Sequence, residues 1–344
     1  MTRAHETSLR TYILTRIALA VPTVLILLTM VFLLMRVAPG NPIQAALGGH
    51  VPQAQIQKRE ERAGYDKPIL VQYVNYLGDA FTLNLGNSLT DHTPVSDIIT
   101  NNGAATLELT VAAFFVAVVV GVSVGLIAGR WRDTPADIGG RMFGIVVYAA
   151  PPFFLGFLAQ LVFADALGWL PVSGRASPEV TATLSQQTHF FLIDSLIAGD
   201  PNAFWDCVLH LILPATTLGL IISGVLIRLV RVNLMQTMRG DYVEAARARG
   251  VSERRVVLRH AFRNALVPVV TVAGLQFALL LGGAILTEET FNWPGIGFQL
   301  VRYLNERDYI AVQGIITIFA LAVVIVSVLI DLVNAFVDPR VRYS

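Results

Sequence analysis

The most charged long stretch of the chain runs from Gly240 to Pro268 and separates two strongly apolar runs. Its polar residues are of types that begin and end helices. Asp241 can cap the start of a helix, and Glu244, three residues later, can return a hydrogen bond to the cap, as in a capping box. Gly250 suits the left-handed backbone position that closes a helix. The stretch therefore predicts a compact helical knob outside the bilayer.

The same stretch is expected to hold a second short helix capped by Ser252, with Pro268 at the entry to the next apolar run. It also contains six arginines, namely Arg247, Arg249, Arg254, Arg255, Arg259 and Arg263. These charges suit contact with an acidic protein surface. They equally suit control of topology, because Lys and Arg accumulate in short cytoplasmic loops. Both interpretations stay open at this point.

Residue types that catalyse reactions or bind metals are sparse. His50, His92, His189 and His210 are scattered without the spacing of metal ligands. The only two lysines, Lys58 and Lys67, do not follow a glycine, so the chain has no P-loop lysine. The single cysteine, Cys207, cannot form an intrachain disulfide. We therefore expect no catalytic residue, no metal site and no cofactor in this chain.

Composition indicates a membrane protein. Of 344 residues, 54% are hydrophobic and 14% are charged, which is far from the average of soluble domains. Six apolar runs are long enough to cross a hydrocarbon core that needs about 20 helical residues. They lie near 13–35, 104–129, 142–164, 208–227, 266–287 and 310–337. The predicted fold is an all-α membrane protein with six transmembrane helices. The net charge of +1 gives no reason to expect nucleic acid as a partner.

Charge distribution predicts the topology. Only eight of the 25 Lys and Arg fall in the loops that would be outside if both termini are cytoplasmic. This divides the chain into a cytoplasmic N-terminus (1–12), a first transmembrane helix with a sizeable outer segment (13–103), a five-helix transmembrane core (104–337) and a cytoplasmic tail (338–344). The core includes the charged loop at 238–265 and a second outer segment at 165–205.

Several local patterns predict how the helices pack. Gly121, Gly125 and Gly129 recur every four residues, a spacing that lets helices approach closely within this subunit or with a partner. The Pro151–Pro152 pair should kink or break the third span. Asp331, near the end of the sixth span, can reach the interface or pair with a neighbouring helix.

The outer segment at 38–103 contains one predicted helix. It opens at Asp66-Lys67-Pro68 and places Ile69, Leu70, Tyr73, Val74 and Leu77 on one face. This spacing suits packing on the membrane surface or against other spans, and it equally suits a loop helix that covers its own core.

The motif Glu244-Ala245-Ala246, followed after three residues by Gly250, resembles the EAA signature of ABC importer permeases. The long spacing from Gly250 to Pro268 resembles the dipeptide, oligopeptide and nickel subfamily. The turn at 291–297 and the tail at 338–343 resemble the same subfamily. This identifies the chain as similar to the inner membrane component of a binding-protein-dependent transport system.

The resemblance implies a permease subunit that forms the path for di- or oligopeptides across a bacterial or archaeal cytoplasmic membrane. The implied partners are a second, homologous permease, two cytoplasmic ATPase subunits that bind ATP and Mg, and an extracytoplasmic solute-binding protein. The implied ATPase-coupling residues are Asp241, Glu244, Ala245, Ala246, Gly250 and Arg254. Nickel, glutathione or another small solute is the alternative cargo. A passive channel, a secondary carrier and a membrane scaffold are the competing classes.

Overall fold

The structure is a computed structural model that describes residues 9–37 and 66–337. The described residues form helices and no strand. In chain order the helices are α1 Leu9–Val37, α2 Ile69–Thr82, α3 Val95–Arg130, α4 Pro135–Ala149, α5 Pro152–Ala166, α6 Pro178–Thr183, α7 Phe191–Ala198, α8 Pro201–Thr237, α9 Asp241–Ala248, α10 Glu253–Thr290, α11 Ile296–Asn305 and α12 Tyr309–Val337. The predicted termini, His50 and the tail motif fall wholly or partly outside the described residues.

Five of these helices are long and apolar enough to cross a membrane, namely α1, α3, α8, α10 and α12. The bent pair formed by α4 and α5 gives a sixth span if it is counted as one. The prediction of an all-helical membrane protein is therefore confirmed. The helices extend past the predicted apolar runs, as when α3 begins at Val95, because a helix continues into polar flanks that composition does not mark as membrane.

The third span is broken at the predicted proline pair. Helix α4 ends before Ala150, α5 begins at Pro152, and the two axes differ by 106°. Pro151 has an extended backbone, and a proline at the start of α5 needs no helical N–H partner. The second half of α5, Gln160–Ala166, is π-helical. The prediction of a break is confirmed, and 142–164 is not one straight helix.

The core of the bundle is the contact between α3 and α8. Gly121, Gly125 and Gly129 of α3 lie against Leu226, Val230 and Leu234 of α8. A Cβ atom at Gly125 would lie 2.7 Å from the Val230 Cβ and 2.9 Å from the Ile227 carbonyl oxygen. The glycine pattern therefore serves packing within this chain, because lipid gives helices no hydrophobic reason to associate and close contact must replace it.

Antiparallel helices give the bundle two ends. We call the end with α9 and the starts of α4 and α10 the proximal end, and the opposite end the distal end. At the proximal end Arg16 of α1 lies 3.3 Å from Asp331 of α12, so of the two possibilities left open for Asp331 the structure shows the pairing with a neighbouring helix. Near the same end the buried Asp137 of α4 accepts a hydrogen bond of 2.8 Å from Arg231 of α8.

The glycine contact gives a stability prediction. Gly125→Ala is expected to push α3 and α8 apart and to cost about 1–3 kcal/mol, the usual range for overpacking. Gly282→Ala in α10 is the matched control, because a Cβ there meets nothing within 4 Å. Apparent melting midpoints of the purified full-length variants in detergent test this. Equal midpoints for the two variants would contradict the close contact.

Candidate functional site

The charged stretch forms a short helix and a tight turn that project from the proximal end. Gly240 has an extended backbone and begins α9, because the Val243 and Glu244 N–H groups donate to its carbonyl. Asp241 is the first helical residue and makes no side-chain cap, so the predicted capping box is wrong: the chain enters the helix one residue earlier. Asp241 and Glu244 instead place negative charge in the first turn, where the helix dipole favours it.

Gly250 closes α9 as predicted. Its φ is +77°, in the left-handed region, and its N–H donates to the Arg247 carbonyl at 2.9 Å. The Val251 N–H donates to the Ala246 carbonyl at 3.2 Å. These two bonds form a Schellman motif, which satisfies carbonyls that the helix end leaves without partners. A side chain at Gly250 would meet no atom within 4 Å, so the glycine is required by the backbone and not by crowding.

The second predicted helix is not a separate element. Ser252 precedes α10 but makes no side-chain cap, and α10 runs unbroken from Glu253 through Pro268 into the membrane span. The stretch Val256–Ala261 within α10 is π-helical. The knob is therefore one helix and one turn attached to a long transmembrane helix. Pro268 lies inside that helix and does not mark its beginning.

A small apolar cluster fixes α9 to the bundle. Val243 and Ala246 of α9 are fully buried, and they pack with Leu234 of α8 and with Val256 and Val257 of α10. The cluster also includes Ala261 and Ala265. Because Ala246 faces this core, its contacts position α9 on the bundle. Its neighbour Ala245 is exposed.

The other predicted coupling residues lie at the surface of the chain. Asp241, Glu244, Ala245, Gly250 and Arg254 are all exposed. Arg247 and Glu253 form two hydrogen bonds across the turn, at 2.7 and 3.1 Å. The bond with Glu253 raises the pKa of Arg247. Both partners are about half exposed, so the pair contributes less than about 1 kcal/mol and mainly fixes the shape of the turn.

A buried ion pair at the distal end was not recognised from the sequence. Arg175 donates to Glu108 of α3 at 2.7 and 2.9 Å and to the His189 carbonyl at 2.8 Å. Its guanidinium lies 4.0 Å from the centre of the Phe191 ring. Glu108 also accepts from the Leu192 N–H at 2.9 Å. The pair thus fastens the segment between α5 and α8 to α3. The sequence does contain one indication of this pair, because Glu108 lies inside an apolar run. A buried charge needs a partner, so a basic residue was to be expected next to it.

A second buried carboxylate fixes the turn between α10 and α11. Glu288 accepts from the Thr106 hydroxyl at 2.7 Å and from the Phe298 N–H at 2.9 Å. The Trp293 indole N–H donates to the Ala105 carbonyl at 2.9 Å. A side chain at Gly295 would overlap the Glu288 carboxylate. Glu288 directly follows the predicted run at 266–287, and its role is structural.

Polar groups next to α11 form a separate network, in which Tyr303 is buried and Asp91 is exposed. Tyr303 of α11 donates to Asp91 at 2.8 Å. Burial would raise the pKa of Asp91, but hydrogen bonds from Ser88, Thr93 and Tyr303 outweigh it and lower the pKa to about 2.

Within the part of the chain that the structure describes, no three His, Cys, Asp or Glu side chains form a group that could hold a metal ion.

The Glu108–Arg175 pair yields a second prediction. Arg175→Gln leaves Glu108 buried without its ionic partner, and is expected to cost about 3–5 kcal/mol, whereas a double Glu108→Gln, Arg175→Met variant removes both members of the pair and should cost less. Arg302→Gln is the control, because the ion pairs that the described residues Asp91 and Glu306 make with Arg302 are accessible to solvent. Tryptophan fluorescence during heating in detergent gives the midpoints. If Arg175→Gln melts no earlier than Arg302→Gln, the buried pair does not hold the segment.

Comparison with known proteins supports a transport role for this architecture. Residues 121–343 match the family described as binding-protein-dependent transport system inner membrane component, and residues 9–110 match its N-terminal family. The chain is 39% identical to the di/tripeptide transport system permease protein DppB of Pseudomonas aeruginosa, over 97% of this chain and 99% of that protein. It is 36% identical to the dipeptide transport system permease protein DppB of Alkalihalophilus pseudofirmus, over 96% and 99%.

A relative with another named cargo is similar over the same length. The chain is 34% identical to the glutathione transport system permease protein GsiC of Pectobacterium atrosepticum, over 97% of this chain and 99% of that protein. Both family matches and these relatives cover nearly all of the chain, including the membrane-length helices described above. The chain therefore belongs to the family of inner membrane components of binding-protein-dependent transport systems.

Proposed function

We propose that this chain is a permease subunit of an ATP-driven importer and forms part of the path for di- or oligopeptides. The observation that carries the proposal is the end-to-end similarity to permeases of dipeptide and di/tripeptide transport systems. Peptide cargo is favoured over nickel because the two relatives at 36% and 39% identity are named for peptides. Glutathione, itself a small peptide, is the second candidate because a permease named for it is 34% identical.

The proximal end is proposed to face the cytoplasm. Arg130, Arg132, Arg141 and the arginines of the 238–265 loop all lie at this end, as the positive-inside rule expects for short cytoplasmic loops. The distal end then faces outward, where a solute-binding protein delivers the substrate. In this orientation α1 begins and α12 ends on the side of α9, which agrees with the prediction of cytoplasmic termini.

Helix α9 and its turn are proposed as the docking element for an ATPase subunit. Glu244, Ala245 and Arg254 present charge and a small side chain to a partner, and Gly250 sets the direction of the turn. Asp241 supports the helix start through the dipole, and Ala246 positions α9 through its buried contacts. A small residue such as Ala245 lets the helix approach the floor of a cleft closely.

The packing provides a route for force. The buried cluster joins α9 to α8 and α10, so movement of α9 is transmitted directly to two membrane-length helices. Helix α8 in turn packs along α3 through the glycine contact, where close packing transmits displacement. Movement of a bound ATPase would thereby tilt three spans together and alternate access between the two sides.

The energy for transport is proposed to come from partner subunits. With no lysine after a glycine, the chain cannot build a phosphate-binding P-loop, so ATP and Mg would bind to two cytoplasmic ATPase subunits. A second, homologous permease would complete the path. The chain by itself is proposed to hydrolyse no ATP.

A pair of glycine substitutions tests the coupling role. Gly250→Val and Gly199→Val both force a β-branched residue to positive φ at a helix C-terminus where a side chain meets no other atom. Each should cost on the order of 1 kcal/mol or more in strain. Only Gly250→Val should abolish peptide-stimulated ATP hydrolysis in the complete complex reconstituted in vesicles, because only it redirects the docking turn.

Crosslinking completes this test. A cysteine at 244 or 254, in a Cys207→Ser background, should crosslink to an ATPase subunit, whereas one at 186 should not. Normal stimulated hydrolysis in Gly250→Val would remove this turn from the coupling role. Peptide accumulation by the chain alone, driven by a proton gradient and indifferent to ATP, would instead identify a secondary carrier.

A further inference from the structure

Helix α2 packs on the bundle through one of three distinct faces. Tyr73 donates to or accepts from the Thr29 hydroxyl of α1 at 2.6 Å, and Tyr76 pairs with the Thr317 hydroxyl of α12 at 2.8 Å. The Phe32 ring of α1 lies 5.3 Å from the Tyr73 ring and 5.7 Å from the Tyr76 ring. This face holds α2 against the seam between α1 and α12.

The two remaining faces are chemically opposite. Leu70, Val74 and Phe81 fall within an arc of roughly 40° on the helix and are 75%, 65% and 63% exposed. On the other side, Gln72, Asn75 and Asp79 line an open cavity of about 790 Å³ that both polar and apolar residues form. Further residues of that cavity are Arg36, Asn84, Gln313 and Thr317. A helix with such faces lies between an apolar medium and water.

Contacts along α12 measure how deep α2 reaches. Tyr76 meets Thr317, eight residues after the start of α12, which is roughly 12 Å along that helix at 1.5 Å per residue. Phe81 reaches further: it lines an apolar groove of about 360 Å³ together with Val24 of α1 and with Leu321 and Ile325 of α12. The C-terminal end of α2 therefore lies beside the middle of two membrane-length helices.

The chain then returns to the distal end. A Cβ atom built at Gly314 would lie 3.3 Å from the Leu85 Cβ, and one built at Gly86 would lie 3.4 Å from Ile310. The Ser88 hydroxyl and the Leu89 N–H donate to Asp308, just before α12, at 2.7 and 2.6 Å. Between residues 76 and 89 the chain therefore contacts α12 first near the middle of that helix and then again near its distal start.

From this path we infer that α2 is a re-entrant helix immersed in the distal leaflet of the bilayer, with its Leu70, Val74 and Phe81 face against lipid acyl chains. The apolar groove between α1 and α12 continues this face towards the middle of the membrane. Helical hydrogen bonds satisfy the immersed backbone, and Asp79 is tolerated because it faces the open cavity that Gln72 and Asn75 also line. The inference holds whatever the transported solute is.

Fluorescence quenching at adjacent positions tests the immersion. Single cysteines replace Val74 or Asn75 in a full-length Cys207→Ser background and carry a polarity-sensitive fluorophore in phosphatidylcholine vesicles. Ile26→Cys on α1 serves as the lipid-exposed control and Gln186→Cys as the water-exposed control. Nitroxide-labelled phosphatidylcholine should quench position 74 as strongly as position 26, and aqueous iodide should quench position 75 several-fold more than position 74.

Two outcomes would overturn the inference. Iodide quenching at both 74 and 75 would place α2 on the membrane surface, and protection of 74 from both quenchers in the assembled complex would show that a protein partner covers this face. A second comparison is independent of labelling: Val74→Glu should reduce the yield of folded protein from membranes several-fold, and Asn75→Glu should not. Equal yields for these two variants would also contradict immersion.

Discussion

The pairing of charged and polar groups between apolar helices is the constraint on which the rest of this structure depends. A carboxylate moved out of water costs several kcal/mol unless a partner and hydrogen bonds replace the water. Glu108, Asp137 and Glu288 are all buried, and each is bonded to a group on another segment. These bonds connect elements that short loops alone would leave free to move. They therefore fix the connections at both ends of the bundle, while small residues fix its middle.

The glycine contact and the ion pairs do complementary work. Between α3 and α8, glycines without side chains let the two backbones approach closely, and this contact is van der Waals packing without directional bonds. At the ends, Arg175 and Arg231 reach across gaps and make directional bonds. In such a bundle the centre is close-packed, and directional bonds at the ends determine which segments lie next to each other. In the proposed coupling, displacement of α9 at one end would be carried through the packed centre without compressing it, because protein interiors have low compressibility.

Local features of the sequence were predictable, and contacts between distant residues were not. The left-handed Gly250, the break at Pro151 and the glycine contact follow from backbone chemistry that a short window contains. The Asp241 cap failed because two neighbouring residues can each begin a helix, and the hydrogen bonds to Gly240 decide between them. The pairing of Glu108 with Arg175, 67 positions away, depends on how the helices pack. The inward orientation of Ala246, the second alanine of its motif, depends on the same packing.

The π-helical stretch Val256–Ala261 gives α10 a property that a plain α-helix lacks. Each turn with i→i+5 bonding accommodates one residue more than an α-turn, which corresponds to a rotation of about 100° between the helical faces before and after it. The direction in which α9 points around the membrane normal therefore does not depend on which sides of the following span face lipid and which face the core. Grafting this loop onto another permease would consequently preserve the direction of α9 only if the residue count of the stretch is preserved, however similar the two sequences are.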